Sequence, residues 1–421
     1  MHKIERLLHT LAPKGVEFKT LEEVFEIKNG YTPSKKNPEF WKNGTIPWFR
    51  MEDLRENGRI LKDSIQHITP KALKGKKLFP KNSIIISTTA TIGEHALLIV
   101  DSLANQRFTF LSKKANCDLA LDMKFFFYQC FLLGEWCKNN TNVSGFASVD
   151  MTAFKKYKFP IPPLEIQQEI VTILDAFTEL NTELNTELNA RKKQYQYYQN
   201  MLLDFNDINQ NHKDAKMSAK TYPKRLKTLL HTLAPNGVEF RKLGEVCDFQ
   251  KGKSITKKAV TFGKVPVISG GRQPAYYHNE ANRSGETIAI SSSGVYAGYV
   301  SYWDIPVFLA DSFSVSPKQK TLMPKYLFHY LTTQQDAIHA TKSAGGIPHV
   351  YSKDLQNFLI PIPPLEIQQE IVKILDQFSA LTTDLLAGIP AEINARKKQY
   401  EYYREKLLTF KPLTPHKEVK K

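Results

Sequence analysis

Apolar residues recur at steps of three and four along two long stretches of the chain. The first stripe runs Ile166, Ile170, Ile173, Phe177, Leu180, Leu184, Leu188, Tyr195, Tyr198, Leu202 and Phe205. The second runs Ile367, Ile371, Ile374, Phe378, Leu381, Leu385, then Tyr400, Tyr403, Leu407 and Phe410. That rhythm is the seam of a coiled-coil helix. Each stretch follows a proline pair, Pro162-Pro163 or Pro363-Pro364. Proline stops a preceding strand and is tolerated in the first turn of a helix. A helix of about 40 residues spans roughly 60 Å at ~1.5 Å per residue. Two such stripes in one chain most simply bury each other, so the pattern predicts an intramolecular coiled coil.

Outside the stripes the pattern changes to short apolar runs between Gly and Pro, the mark of strands and turns. In the first half, 21–27, 46–49, 83–88, 92–100, 108–111 and 155–159 read as strands, and the aromatic-rich 120–138 as a core helix. In the second half, 265–268, 287–291, 295–302 and Phe308 read as strands, with a proline-led helix over 324–341. Between the halves, 206–222 is polar and aperiodic, a linker. The end, 411–421, is a basic tail.

The two halves repeat. His9 to Phe18 matches His231 to Phe240 at nine of ten positions, and 161–177 matches 362–378 at fifteen of seventeen. Both helices reach the same block, Asn189 to Tyr195 and Asn394 to Tyr400. Solenoid arrays repeat every 20–50 residues; an interval near half of this 421-residue chain means two whole domains. Near-identity is confined to these anchors, while 19–158 and 241–359 share little. That mosaic implies a fixed frame carrying two independently chosen inserts.

Composition adds a sign. The net charge is +16, which suits an anionic partner without proving one. The four cysteines, Cys117, Cys130, Cys137 and Cys247, form no C-x-x-C pair, so neither a disulfide framework nor a zinc site is expected and a reducing cytoplasm fits. The N-terminus lacks the apolar core of a secretory signal. The longest apolar run, 125–133, is too short to cross a bilayer, and no membrane association is expected.

Two variable segments, each followed by a helix opening I-P-x-P-P-L-E-x-Q and closing near Arg-Lys-Lys, resemble a type I restriction–modification specificity (S) subunit. Within the segments, Ile46 to Leu54 and Val265 to Gly271 resemble that family's early strand. Ser87 to Gly93 and Ser291 to Val295 resemble its small-residue loop. Asn105 to Phe108 and Ala310 to Phe313 fall where the family returns to the sheet, and Gly145 to Val149 and Gly345 to His349 resemble its last glycine turn. The resemblance covers both halves almost end to end, and the doubled order is its specific part. It implies an α+β chain: two mixed α/β target recognition domains (1–160 and 223–361) and two spacer helices (161–205 and 362–410) paired as an antiparallel intramolecular coiled coil. This is a pseudo-twofold tandem duplication. It further implies a bipartite, asymmetric double-stranded DNA target, two docked methylation (M) subunits, and restriction (R) subunits in the full complex. At ~3.4 Å per base pair, ~60 Å covers about 18 base pairs.

The first helix also carries Thr-Glu-Leu-Asn three times, 178–181, 182–185 and 186–189. One copy adds about 6 Å and slightly more than one turn, so the seam stays roughly aligned while the span grows. The steps of four at Leu180, Leu184 and Leu188 form a local stutter. The resemblance implies that copy number here sets the gap between half-sites; a charged helix surface that happens to repeat is the plainer account.

Major-groove readers are typically Arg, Lys, Asn, Gln, Ser or Thr on exposed turns. The candidates are Arg50, Ser87, Thr88, Thr89, Thr91, Gln106 and Arg107 in the first domain. In the second they are Arg272, Gln273, Ser291, Ser292, Ser293 and Tyr299. Each Ser or Thr could instead be a turn-stabilising hydroxyl. Lys74, Lys76 and Lys77 would meet phosphate, or form a solvated loop. Arg191, Lys192, Lys193 and Arg396, Lys397, Lys398 are candidates for partner docking, with the tyrosines that follow them divided between seam and partner.

Motifs for chemistry are incomplete. Lys251-Gly-Lys-Ser254 ends like a phosphate-binding loop, but Cys247 stands where the first glycine is required. Neither proline pair is followed by the aromatic residue of an amino-methyltransferase box, and no glycine-rich turn follows a strand as dinucleotide binding requires. Glu26 and Lys28 have nuclease-like spacing without the preceding aspartate. The recurring His9 and His231 are expected to pack within the frame. The chain reads as non-catalytic with no cofactor of its own; S-adenosylmethionine, ATP and Mg would sit on partner subunits. A coiled-coil scaffold binding only proteins, and a degenerate fused enzyme, are the alternatives.

Overall fold

The computed structural model describes residues 2–75, 77–142, 147–206, 222–318, 320–343, 346–383 and 388–413. Most of the expected linker, most of the basic tail, Lys76, and the glycines Gly145 and Gly345 lie outside the described residues. The chain divides into two compact units, Met1–Glu183 with Asn394–Lys421, and Leu184–Ile393. The division runs through the long helices: each unit takes one insert, the beginning of one helical stretch and the end of the other.

The first long helix is continuous over Leu164–Leu203. The second is described as Leu365–Thr383 and Ile389–Leu408, with 384–387 outside the described residues. In the first unit, the ring of Phe177 stacks on Tyr403 at 5.6 Å and lies 6.2 Å from Tyr400. Phe410 meets Phe125 at 6.3 Å, near the helix start, where Gln167 accepts a bond from the Asp122 amide. The stretches therefore pair antiparallel. The second unit repeats this, with Tyr198 stacked on Phe378 at 5.1 Å and Phe205 in one core with Ile367 and Ile371. One turn of each stripe is set differently from the sequence expectation: Leu174 and Leu375 are buried, whereas Ile173 and Ile374 are half-buried. Each proline-led end faces its insert helix as well as the closing end of the other stretch, which shifts the buried stripe toward steps of four.

The unlike inserts share one sheet plan. The first has a sheet ordered Phe25–Asn29, Phe108–Lys113, Ile84–Ser87, His95–Leu98, Ile60–Leu61, antiparallel except at the last pair. The second has Cys247–Lys251, Ser312–Pro317, Thr287–Ser291, Val300–Trp303, antiparallel throughout. A smaller sheet accompanies each, centred on Ile46–Phe49 and on Val265–Ile268. The strand entering each insert pairs with the strand leaving it, Phe18 opposite Pro160 and Phe240 opposite Pro361. A variable segment can thus begin and end at one place on the frame.

Aromatic and aliphatic side chains from helix, sheet and spacer form the largest of the buried clusters in each unit. Phe25, Phe126, Phe159 and Ile166 lie in the first, and Tyr326, Leu327, Ile360 and Ile367 in the second. Several local expectations change. Leu21–Val24 is a helical turn because Thr20 and Glu23 form a reciprocal cap, the Thr20 amide donating to Glu23 at 2.6 Å. The strand expected over 295–302 begins only at Val300, since Gly294 and Gly298 adopt positive φ in the preceding loop. The helix expected over 324–341 is broken at Gln334. His9 and His231 do not pack in the frame: both are exposed, on helices whose apolar face is carried by Ile4 or by Leu226 and Leu230. The frame is tied there by ion pairs instead, Lys3 to Glu169 at 2.5 Å and Arg225 to Glu370 at 3.1 Å.

Candidate nucleic-acid interface

In each insert a tight loop joins two adjacent antiparallel strands of the larger sheet, and the backbone bonds at its base recur in both despite unlike sequences and a one-residue difference in length. The Gly93 amide donates to the Ser87 carbonyl at 2.9 Å, and Gly298 to Ser291 at 2.7 Å. Thr88 donates to the Arg107 carbonyl at 3.1 Å, Ser292 to Asp311 at 2.9 Å. The Val149 amide donates to the Thr88 carbonyl and Val350 to Ser292, each at 2.9 Å. Thr89 bridges Ser148 as Ser293 bridges His349. Next comes a residue with positive φ, Ala90 in one loop and Gly294, at 86°, in the other.

 Ala90 itself has φ 61°, so the two turns share their strained position. Gly93 is required by contact as well: a Cβ there would lie 2.5 Å from the Gly134 carbonyl oxygen of the insert helix.

The structure gathers most first-domain candidates at this end of the sheet. The Asn105 amide donates to the Phe49 carbonyl at 3.0 Å, which brings Arg50, Gln106 and Arg107 beside the loop. Thr91, Gln106 and Arg107 are exposed and Thr89 is half-exposed; the Thr32 hydroxyl donates to Gln106 Oε1. Arg50 is half-buried, its guanidinium 5.9 Å from the Trp48 ring and 3.8 Å from Glu52. Ser87 and Thr88 are buried and used internally. The Ser87 hydroxyl donates to the Thr89 carbonyl at 2.7 Å, and Thr88 Oγ1 lies 3.0 Å from Thr109 Oγ1.

Ser291 is likewise buried, bonded to the Ser269 carbonyl at 3.1 Å. Ser292, Ser293 and Tyr299 are half-exposed, and Arg272 and Gln273 fully exposed. Arg272 lies over Tyr296 at 5.0 Å and Tyr299 at 5.6 Å, which holds a cation beside the loop. Sequence reasoning missed Asp311, the exposed counterpart of Arg107, whose carboxylate accepts from Ser269 at 3.2 Å. It also missed Val295, 82% exposed at the loop tip.

The lysine segment is not gathered with the loop. Lys74 and Lys77 are exposed, but Phe79, just beyond them, bridges Ser102, near the end of the sheet where Ile84–Ser87 begins. Lys74 lies 5.5 Å from the Phe40 ring. Lys76 lies outside the described residues. On the helices, Arg191, Lys192, Lys193, Lys397 and Lys398 are exposed and Arg396 is half-buried. Arg191 pairs with Glu187 at 3.5 Å, and Arg396 bonds Gln399 at 3.2 Å. Tyr197 and Tyr402 are each 60% exposed, whereas Tyr198, Tyr400 and Tyr403 face the seam.

Where helices and inserts meet, the repeated sequence has one repeated job. Gln167 Nε2 donates to the Ala120 and Pro162 carbonyls at 2.8 and 2.7 Å, and its Oε1 accepts from Asp122 at 2.8 Å. Gln368 does the same with Thr321, Pro363 and Met323. Asp175 takes Lys124 at 2.5 Å and the Tyr128 hydroxyl at 2.6 Å. Asp376 takes Lys325 at 2.7 Å and His329 at 2.9 Å. Burial works against the Asp376 carboxylate, but its bonds from His329 and Lys325 prevail and hold it below the usual range. Among the described residues, no group of three or more His, Cys, Asp or Glu could hold a metal, and no helix is long and apolar enough to cross a membrane.

Two unlike recognition surfaces on a repeated frame define a tandem reader. The family model described as type I restriction modification DNA specificity domain matches residues 13–194 and again 235–395. A specificity subunit of the type I restriction enzyme EcoprrI from Escherichia coli is 41% identical over 385 residues, spanning 88% of this chain and 89% of that one. The EcoR124I/EcoR124II specificity subunit, also from Escherichia coli, is 32% identical over 311 residues, 65% of this chain and 70% of that one. The fold matches an S subunit from M. genitalium with a TM-score of 0.55 at 18% identity, covering 93% of this chain and 95% of that one. The chain belongs to the type I restriction–modification specificity subunit family.

Proposed function

We propose that each insert reads one half of a split, asymmetric duplex DNA target, and that the helices dock two methylation subunits, with restriction subunits joining the full complex. The observation that carries this reading is the pair of loops: matching backbone bonds at their bases present different exposed side chains at the same end of each insert. A rigid scaffold with variable tips suits base-edge readout, because hydrogen-bonding groups must be held in register with the groove. Within this reading Thr89, Thr91, Gln106 and Arg107 serve the first half-site, and Arg272, Gln273, Ser292, Ser293 and Tyr299 the second. Arg50 is placed to assist the first. The buried Ser87, Thr88 and Ser291 hold the loops in shape. Lys74, Lys76 and Lys77 serve as phosphate contacts. The Arg-Lys-Lys blocks, with Tyr197 and Tyr402 exposed beside them, supply docking surface.

In this role the chain does no chemistry itself. S-adenosylmethionine, ATP and Mg are assigned to the partner subunits, and the complex works in the cytoplasm. The test is a methylome of cells expressing the chain with its methylation subunit, against cells lacking the chain. The expected result is a split adenine-methylated motif that disappears without the chain. No chain-dependent motif from a verified, assembled complex would instead favour a protein-binding scaffold.

A further inference from the structure

The matched loops allow a comparison between the two domains, residue by residue. Ser87, Thr88 and Thr89 correspond to Ser291, Ser292 and Ser293 by their shared bonds and bridges. The positive-φ residues Ala90 and Gly294 then coincide. Beyond them the second loop is one residue longer: the Glu94 amide donates to the Thr91 carbonyl as Tyr299 does to Tyr296, so Thr91 matches Tyr296 and Val295 is the additional residue at the exposed tip.

Exposure of Val295 is 82%, so it has no structural task in the core. The bridge between Ser293 and His349 is antiparallel, and the Gly294 amide donates to the Pro348 carbonyl at 3.0 Å. Ile347, which precedes Pro348, is itself 65% exposed. The tip residue Val295 thus follows Gly294 and precedes Tyr296, over which, as over Tyr299, the Arg272 cation lies. In the major groove the apolar group available to such a tip is the thymine C5-methyl. Insertion between base pairs generally uses longer wedges such as Phe, Leu or Met; the short, branched valine suits contact with a methyl at the groove floor.

Resting on the DNA-reading function above, we propose that Val295 is a specificity-determining contact to a thymine methyl in the second half-site, made by a residue for which the first loop has no counterpart. The charge of the chain, +16, and the cation at this loop suit the duplex as occupant.

The test uses the chain assembled with its methylation subunits and duplexes carrying the mapped target, with uracil replacing each second-half-site thymine in turn. One such replacement is expected to weaken wild-type binding about four-fold, the loss of one buried methyl. V295S is expected to bind the thymine and uracil duplexes equally, and its methylome to become degenerate at that position alone. A second half-site without an A·T pair overturns the proposal, as does wild-type binding indifferent to every uracil, or a uracil penalty that persists in V295S. In each of those cases target binding by the wild type is intact, so the DNA-reading function stands. Loss of target binding by the wild type would remove both.

Discussion

His95 begins the strand after the first reading loop, fully buried between Phe127 and Phe131, with Nδ1 3.2 Å from the Gly93 carbonyl. Its Nε2 has no partner among the described residues. Burial, then the nearby Arg59 cation, pushes its pKa down to about 3. The unfolded chain takes the proton near pH ~6.5. Between about 6.5 and 3 the unfolded state therefore binds more protons, and stability falls as pH falls; above that window His95 contributes no pH dependence. At pH ~5 the expected cost is about 2 kcal/mol. Urea midpoints at pH ~7.5 and ~5 should differ less for H95Q than for wild type, and equal acid sensitivity would refute this account. The neighbouring glutamines of the repeat separate in the same way. Gln368 is buried and makes three hydrogen bonds, while Gln369 is exposed. Q368L should destabilise the second unit by about 3 kcal/mol, and Q369L by less than about 0.5 kcal/mol, read from chemical denaturation. Identity between the copies flags both glutamines; only burial separates them.

The helices are the elements most plainly written in the sequence. Their starts are set by the proline pairs and their seams by apolar spacing, and the structure starts them at Leu164 and Leu365. The insert strands are shorter and depend on neighbours, so their limits were less legible: a cap converts 21–24 to a helical turn, and positive φ delays the strand at Val300. Within the first long helix no residue from 175 to 198 is fully buried, and Leu180, Leu184 and Leu188 are only half-buried. A stretch so lightly packed tolerates a change of length. Deleting Thr182 to Asn185 should shorten the gap between half-sites and leave both half-site sequences unchanged. A methylome of the deletion reports both; an unchanged gap would sink the spacer assignment.

At the scale of the molecule the proposed function assigns recognition to the inserts and assembly to the frame. Target affinity should fall about 10³-fold between roughly 50 and 200 mM salt, as six or more phosphate contacts release their counterions. Fluorescence anisotropy on the assembled methylation complex measures the slope, and salt-indifferent binding would argue against a duplex partner. The likeness between inserts belongs to this scale too. The segments 19–158 and 241–359 share little sequence, yet their central strands and loop bonds coincide. A sheet accepts many apolar sequences, whereas the loop's backbone bonds need only a few small residues and a permitted φ.

By itself the sequence determined the tandem repeat, the helical stripes and the family resemblance, because periodicity and near-identity are local properties that survive without coordinates. Tertiary structure decided which candidate hydroxyls are buried, which side of the seam each aliphatic residue takes, and that Val295 is an added, exposed residue at the tip of the second loop. Those outcomes depend on contacts between residues far apart in the chain. Burial of Ser87 and Ser291 is settled by backbone from elsewhere in the insert, and the exposure of Val295 by a turn whose geometry its own side chain does not set.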